Sequence, residues 1–188
     1  MDYLKQSDED LVAYYLAGDA NAFSSLVFRY SDHIYNFARK LGAKNDATDI
    51  VQEVFVKVWD NLKKFDTNKS FKTWIFTIAR NTTTDFLRKK KILLFSDIEN
   101  NSVEENEVND IPDPGPISIE LLQKVEDAKH LEEILFKLDS KSREVLSLYY
   151  QEEMTFVQIG EVLNQSINTV KSIHRRALIK LRELLHQN

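Results

Sequence analysis

The chain has 188 residues and a formal net charge of −5, and its 43% hydrophobic residues exclude a wholly disordered protein. No apolar run approaches the roughly 18 residues that a membrane span needs, and the acidic N-terminus lacks the features of a signal peptide, so we expect a cytoplasmic protein without membrane insertion. Cysteine is absent, which excludes disulfides and thiolate metal sites, and four glycines with three prolines favour an all-helical fold over a sheet.

Periodic apolar residues predict four helices in the N-terminal half. A short helix is expected over residues 8–17 with Ser7 as its N-cap, and a long one between Asp19 as N-cap and Gly42 as C-terminal stop. A third helix begins after Asp46 as its cap. Its predicted core stripe consists of Ala47, Val51, Val54, Phe55, Val58 and Leu62.

The opposite side of the third helix is an acidic strip with an exposed valine at its centre. The strip consists of Asp49, Gln52, Glu53, Val56 and Asp60. Taken alone, such a strip is most often a solvated face. The alternative is a surface that binds a partner.

A fourth helix is predicted over residues 70–90, with polar and basic residues on one side and Trp74 on the flank. The predicted core side contains Phe71, Ile75, Ile78, Ala79, Thr82 and Phe86. The polar side contains Thr73, Thr77, Arg80, Asn81, Thr84 and Arg88. Threonine and asparagine offer uncharged hydrogen-bonding groups, while arginine contacts phosphate and stacks on bases, so this mixture suits single-stranded nucleic acid. A solvated face is the alternative, although helix propensity does not explain three exposed threonines.

The net charge conceals three different segments. Residues 1–94 contain 15 basic and 12 acidic residues, residues 95–130 contain 2 and 10, and residues 131–188 contain 8 and 8. Within the middle segment, residues 96–115 are poor in aromatic residues and run into alternating prolines at 112, 114 and 116, which predicts an acidic flexible linker over 95–117 between domains at 1–94 and 118–188. Its acids either imitate a nucleic-acid backbone or extend a solvated tether.

Helices are also predicted after the linker. The first has apolar residues at Leu131, Ile134, Leu135 and Leu138. The second covers residues 142–150, capped by Asp139 or Ser140. The next stretch has the pattern of a helix-turn-helix, in which Thr155 caps a helix over 156–163 and Asn164 takes the left-handed turn conformation.

Ser166 is placed to cap the last helix, over residues 167–185, and Gly160 in the preceding helix indicates a close approach of this second helix. Its predicted inward residues are Val170, Ile173, Ala177, Leu181 and Leu184. Its predicted outward residues are Asn168, Lys171, Ser172 and Arg175, with Arg176 at the edge. This is the register of a helix that lies in the major groove of DNA.

In this order, the segments resemble the sigma-70 family of bacterial RNA polymerase initiation factors, specifically the small two-domain extracytoplasmic function (ECF) group. The resemblance rests on residues 49–55, on residues 71–81 with Asp85 and Arg88, and on residues 138–139, 143–148, 158–160, 168–172, 175–177 and 181–182. It covers almost the whole chain.

The resemblance implies that the acidic strip docks on core RNA polymerase, that the fourth helix and the loop before it open and bind the minus-10 promoter element, and that the last helix binds the minus-35 element. The implied minus-10 contacts are Lys72, Thr73, Trp74, Thr77, Arg80, Asn81, Thr84 and Arg88. The implied minus-35 contacts are Asn168, Thr169, Lys171, Ser172, Arg175 and Arg176. Promoter DNA and core polymerase are the implied partners, and no cofactor, metal or catalytic residue is expected.

The chain departs from the usual family pattern at Gln165, Asn168 and Ile173-His174, so a promoter sequence does not transfer. We expect His174 to be a packed neutral imidazole. Ile179 projects from the predicted core stripe and indicates a surface for an anti-sigma factor.

The main alternative is a stand-alone helix-turn-helix regulator that binds duplex DNA as a dimer. Tight binding of promoter DNA by the protein alone would distinguish it from a sigma factor. An enzyme is a weaker interpretation because no HExxH motif or phosphate-binding glycine loop is present.

Overall fold

The structure is a computed structural model that describes the backbone of residues 3–95 and 128–186 and the side-chain surroundings of residues 3–92 and 132–185. All regular structure in these ranges is helical, which confirms the all-α prediction. The predicted linker over 95–117, with its acidic residues, lies outside the described residues except at its first position. We refer to residues 3–95 as the N-terminal unit and to residues 128–186 as the C-terminal unit.

Each unit contains four of the described α-helices. The N-terminal unit contains α1 (Asp8–Leu16), α2 (Ala20–Leu41), α3 (Ala47–Asn61) and α4 (Phe71–Phe95). The C-terminal unit contains α5 (Ala128–Phe136), α6 (Ser140–Tyr150), α7 (Phe156–Leu163) and α8 (Ile167–His186). The predicted helices are therefore present, and α4 continues past its predicted end at residue 90.

Local signals set most of the helix ends. The side chains of Ser7 and Asp19 cap α1 and α2, and Gly42 ends α2 with a φ of 117°. Asp46 is the N-cap residue of α3, as predicted, but its side chain makes no capping hydrogen bond. Its carboxylate pairs with Lys90 at 2.7 Å instead.

The N-terminal unit folds around the apolar sides of α2, α3 and α4, with α1 packed on α2. The predicted α3 stripe is confirmed for Ala47, Val54, Phe55, Val58 and Leu62. Ile50 is buried whereas Val51 is half-buried, because α3 packs against both α2 and α4 and buries the side that Ile50 occupies. Glu9 on α1 accepts a hydrogen bond from the Phe71 amide at 2.8 Å and so holds the start of α4.

The two units pack against each other. Helix α2 contacts α6, and α4 contacts α7. Buried side chains of both units form one continuous apolar cluster, to which Phe71 and Phe76 contribute from one side and Val145 and Ile159 from the other. The C-terminal unit therefore covers part of α4.

Candidate nucleic-acid interfaces

The acidic strip on α3 is open. All five of its side chains are exposed, and Val56 keeps 57% of its surface accessible. Glu53 pairs with Lys57 one turn later at 2.7 Å, a surface contact worth about 0.3–0.5 kcal/mol. Next to the strip, Trp59 is also exposed and its indole N–H donates to the Tyr15 hydroxyl. The predicted exposure is confirmed, and the strip can offer negative charge beside apolar side chains.

The polar face of α4 is only partly open. Asn81 and Arg88 are exposed. The half-buried residues are Lys72, Trp74, Thr77, Arg80 and Thr84. Thr73 retains only 6% of its surface, so the prediction that it faces solvent is wrong. Helix α4 contacts α1, α2 and α3 as well as α7 of the C-terminal unit, so neighbours that a single helical pattern does not include cover this position.

The buried side of α4 is also wider than predicted. The residues buried as expected are Phe71, Ile75, Ala79 and Thr82. Ile78 and Phe86 are half-buried, whereas Phe76 and Thr83 are buried. Phe76 packs edge-on against Phe37 of α2, with ring centroids 5.5 Å apart. Contacts with α2 and α7 therefore bury positions that a single core stripe does not include.

Two cations of the α4 face are paired with carboxylates of the C-terminal unit. Lys72 Nζ lies 3.4 Å from Glu152 Oε2, and Arg80 Nε lies 3.8 Å from Glu144 Oε1. Burial raises the pKa of Glu144 above its ordinary value, and the charge of Arg80 offsets only part of this rise. Both cations thus face protein carboxylates in this arrangement.

A groove between α3 and α4 contains residues that the sequence analysis did not assign. It is lined by Lys57, Asn61, Lys64, Trp74, Ile78, Asn81 and Thr82. Lys57 Nζ donates to Thr82 Oγ1 at 3.1 Å, which bridges the two helices. The signal in the sequence was the spacing of Lys57, Asn61 and Lys64, which places them on one side of α3 and the turn that follows.

Helices α7 and α8 form a helix-turn-helix whose turn is fixed by local hydrogen bonds. Thr155 and Gln158 form a capping box, and Asn164 adopts a left-handed conformation with φ 52° and ψ 48°. The Gln165 amide donates to the Gly160 carbonyl at 2.9 Å. A Cβ at Gly160 would lie 2.8 Å from the Gln165 carbonyl oxygen, so the turn itself requires glycine there. The predicted helix-turn-helix is confirmed.

The outward face of α8 is open near its N-terminal end, where Ser166 caps the helix by accepting the Thr169 amide at 3.1 Å. The exposed residues are Asn168, Lys171, Ser172 and Arg176. Thr169 is half-buried. Arg175 is also half-buried because its Nε and Nη2 atoms lie against the protein, hidden from solvent. Arg176 rather than Arg175 is thus the more exposed arginine, the reverse of the prediction.

His174 lies in an aromatic cluster at the margin of α8. Its ring centroid is 4.7 Å from that of Tyr149, 5.7 Å from that of Tyr150 and 5.2 Å from that of Phe156. The ring is therefore packed as expected, and burial lowers the pKa of the His174 imidazole below its ordinary value, which favours the neutral form. Ile179 is half-buried rather than fully projecting, since α5, α6 and α7 all pack on α8.

The candidate sites on α3, α4 and α8 are patches on the surface of the described units. Within the described ranges, no group of three or more metal-ligating side chains is arranged to hold an ion. None of the helices in residues 3–95 and 128–186 is long and apolar enough to span a bilayer.

A helical unit with a polar, partly basic helix, packed on a helix-turn-helix unit, defines a class of DNA-binding proteins with two separate contact surfaces. Known families match both units: sigma-70 region 2 matches residues 26–92, and sigma-70 region 4 matches residues 134–183. The chain is 37% identical over 167 residues to the ECF RNA polymerase sigma factor SigW of Bacillus subtilis, covering 84% of this chain and 86% of that protein. It is 32% identical over 186 residues to the RNA polymerase sigma factor NccH of Alcaligenes xylosoxydans xylosoxydans, covering 96% of each.

Solved structures agree with this assignment. CnrH, a sigma factor of Cupriavidus metallidurans solved in complex with the cytosolic domain of CnrY, aligns with a TM-score of 0.70 at 27% identity, covering 97% of this chain and 99% of that one. RpoE of Bartonella quintana, solved with the anti-sigma factor NepR, shares the fold with a TM-score of 0.66 at 24% identity, covering 87% and 96% of the two chains. The chain belongs to the sigma-70 family and, within it, to the ECF group of RNA polymerase sigma factors. The matches give no support to a stand-alone regulator.

Proposed function

We propose that this sigma factor works in the cytoplasm, binds core RNA polymerase through the acidic strip on α3, opens the minus-10 element with α4 and binds the minus-35 element with α8. The chain itself makes and breaks no covalent bond. Its contribution is to bind polymerase and DNA together and to stabilise separated strands.

The acidic strip supports the first contact. Its charge is exposed on a helix whose other side is anchored in the core, so a basic partner can dock without rearrangement of the unit. Val56 and Trp59 add exposed apolar area beside the acids. An interface of this composition combines apolar burial with charge complementarity.

The α4 face and the neighbouring groove support the minus-10 contact. Asn81 and Arg88 are exposed, and Asn81 also lines the groove with Lys57, Lys64 and Trp74. Lysine and arginine attract the phosphate backbone, while asparagine and tryptophan offer hydrogen bonds and stacking to unpaired bases. We add Lys57, Asn61 and Lys64 to the residues that contact the opened strand.

The open end of α8 supports the minus-35 contact. Asn168, Lys171, Ser172 and Arg176 are exposed on the second helix of the helix-turn-helix, which is the helix that enters the major groove in this motif. Their mixture of amide, hydroxyl and cationic groups can donate to base edges and phosphates.

An anti-sigma factor is the further partner that we propose. Structural relatives of this chain are solved with such a protein or with a cytosolic domain of another protein. On this chain, Tyr150 and Val157 of the C-terminal unit each expose 56% of their surface and offer apolar area for an inhibitor.

One observation carries the proposal: a single chain presents an open acidic strip, a polar helical face beside a basic groove, and a helix-turn-helix. A duplex-binding repressor requires only the last of these. Because the first two lie on adjacent helices of one unit, they suit a protein that brings an enzyme to DNA that is being opened.

The test is reconstitution. The purified chain is mixed with bacterial core RNA polymerase, and complex formation is followed by gel filtration and by transcription from a pool of genomic DNA fragments. We expect co-elution and transcripts from a small set of promoters. Tight binding of those promoters by a dimer of the free chain, without any need for polymerase, would contradict the proposal.

A further inference from the structure

Glu152 is a buried carboxylate of the C-terminal unit whose partners lie in the N-terminal unit. It lies between α6 and α7 and exposes only 3% of its surface. Its Oε2 atom is 3.0 Å from Nδ1 of His33 on α2 and 3.4 Å from Nζ of Lys72 on α4. Lys72 also donates a hydrogen bond to the Glu152 carbonyl oxygen. One residue of the C-terminal unit therefore joins two helices of the other unit.

The turn around Glu152 presents this side chain to the N-terminal unit. The Glu152 amide donates to the Ser147 carbonyl at 3.3 Å, and the Met154 amide donates to the Leu148 carbonyl at 3.0 Å. Between them, Glu153 has a φ of 54°, a left-handed conformation that is uncommon for a residue with a Cβ. The chain therefore reverses sharply at this point, which leaves Glu153 exposed and Glu152 buried against α2 and α4.

The lysine that Glu152 holds is one of the minus-10 contacts. Lys72 stands in the first turn of α4 beside Thr73, which is buried. Two turns further on, Arg80 faces Glu144 of α6. Carboxylate and phosphate oxygens are both anionic acceptors for lysine and arginine, so the C-terminal unit occupies places that strand phosphates would take.

Two other polar atoms under this cover lack a hydrogen-bond partner in the described parts of the chain. Thr73 Oγ1 and Arg80 Nε are buried without a hydrogen-bond partner among the described residues. Such groups cost free energy when they leave water unpaired, so they oppose the closed arrangement. Glu152 is paired with two helices of the N-terminal unit, and among the described polar contacts between the units it is the buried carboxylate that holds a proposed DNA-contacting lysine. Arg143, which donates to the Lys40 carbonyl at 2.9 Å, also joins the units.

We propose that Glu152 is an intramolecular competitor of promoter DNA. In the free chain it binds Lys72 and keeps the α4 face covered by the C-terminal unit, and it is displaced when core polymerase binds and the minus-10 strand takes its place. The inference rests on the proposed function, because Lys72 is a DNA contact only in a sigma factor. The inference concerns the chain without polymerase, so different results would contradict the inference and the proposed function.

The first test measures DNA binding by the full chain without polymerase. The probe is a labelled random-sequence single-stranded DNA of about 15 nucleotides. Glu152→Lys places a cation against Lys72 and His33, and we expect about 5- to 10-fold tighter binding at low salt. Glu153→Lys is the matched control, because it makes the same charge change at the exposed neighbour. Glu152→Gln keeps the size of the side chain and should give a smaller increase in DNA affinity. It replaces Glu152→Lys in this test if the lysine variant does not fold.

The second test measures opening directly. The chain has no cysteine, so dyes can be placed on two introduced ones, at Ser24→Cys on α2 and Glu161→Cys on α7, both exposed positions. Energy transfer should fall in Glu152→Lys and when core polymerase is added to the otherwise unchanged chain. Combining Glu152→Lys with Lys72→Glu should restore the energy transfer of the unmodified chain, because the double variant forms the same ion pair with the charges exchanged.

Equal DNA affinity and equal energy transfer in Glu152→Lys and Glu153→Lys would overturn the inference. If both variants still direct transcription with core polymerase, the proposed function stands. A folded chain that neither binds core polymerase nor directs transcription would overturn the proposed function, and with it the competition with promoter DNA.

Discussion

The strip on α3 and the polar face of α4 lie on adjacent helices of one unit, and the first is fully open whereas the second is only partly open. Every residue of the strip is exposed, with Val56 at 57%, whereas Thr73 on the α4 face keeps only 6% of its surface. In the free chain, the proposed polymerase contact is therefore fully open, while part of the proposed minus-10 contact is covered. The packing of the C-terminal unit on the N-terminal unit can therefore set the order in which the proposed partners bind.

Side-chain chemistry explains why one surface is covered and the other is not. Removing several carboxylates from water is costly without matched cations, so an acidic strip stays open. Thr77 on the α4 face is easier to cover, because its hydroxyl donates to the Thr73 carbonyl at 2.8 Å within its own helix, whereas the covered Thr73 hydroxyl has no partner among the described residues. A threonine-rich face can therefore leave water with part of its hydrogen bonding satisfied.

The largest effect that we predict comes from reversing charge on the open surface. Asp49→Lys combined with Glu53→Lys should weaken binding to core polymerase at least about 100-fold, because like charges across an interface cost several kcal/mol. Fold stability should change little, since both side chains are exposed and Glu53 loses only a surface pair with Lys57. Binding is measured by titration of labelled chain with core polymerase, and stability by chemical denaturation.

The matched control for that variant reverses two exposed acids outside the strip, Glu133→Lys with Glu161→Lys. It makes the same change in net charge and should bind core polymerase as the unmodified chain does. If it loses binding equally, net charge rather than the strip determines the affinity.

A second prediction separates the two DNA surfaces in the assembled holoenzyme. Lys171→Ala on the open face of α8 should weaken initial promoter binding by about 1–3 kcal/mol, roughly 5- to 150-fold. Asn81→Ala and Arg80→Ala on α4 should leave initial binding nearly unchanged and reduce strand opening. Filter binding measures the first step and permanganate footprinting the second. Normal opening by the Arg80 variant would show that the α4 face does not bind the opened strand.

Much of the fold could be predicted because its signals are local. The capping positions of Ser7, Asp19 and Thr155 and the left-handed turn at Asn164 are set by residues a few positions apart, and all are confirmed. Asp46 shows the limit, since its carboxylate is engaged by Lys90, 44 residues away. A cap predicted from sequence spacing cannot include a competitor that only the tertiary fold brings close.

The surfaces illustrate the same limit. Exposure of the strip on α3 follows from helical periodicity alone, because nothing described packs on it. The burial of Thr73 and the half-burial of Arg175 depend on neighbours from other parts of the chain, which periodicity does not contain. The roles of these residues in binding polymerase and DNA stay predictions until the variants are measured.

A third prediction concerns the stability of the unit that forms the cover. Gly160→Ala should destabilise the chain by about 1–3 kcal/mol, because the added Cβ would meet the Gln165 carbonyl oxygen at 2.8 Å and that backbone is fixed by its own turn. The gain in helix propensity, about 1 kcal/mol, offsets part of this cost. Denaturation followed by circular dichroism measures the change. An equally stable variant would show that the turn relaxes, and the α4 face would then stay covered.

The smallest effect that we predict is a dependence of the C-terminal unit on acid pH. Burial lowers the folded-state pKa of His174 below its ordinary value of 6.5, so its contribution to stability is complete above that pH and is lost as the pH falls through the lower folded value. Tyr150, whose pKa is raised by burial, stays neutral throughout this range and does not offset the loss. His174→Leu removes the titrating group and keeps an apolar side chain against Tyr149 and Phe156, so the acid-dependent part of the instability should disappear. Hydrogen exchange of the α8 amides, corrected for the intrinsic effect of pH, measures this, with α2 amides as the internal reference. If the leucine variant keeps the same excess acid dependence in α8, another titrating group loosens the C-terminal unit.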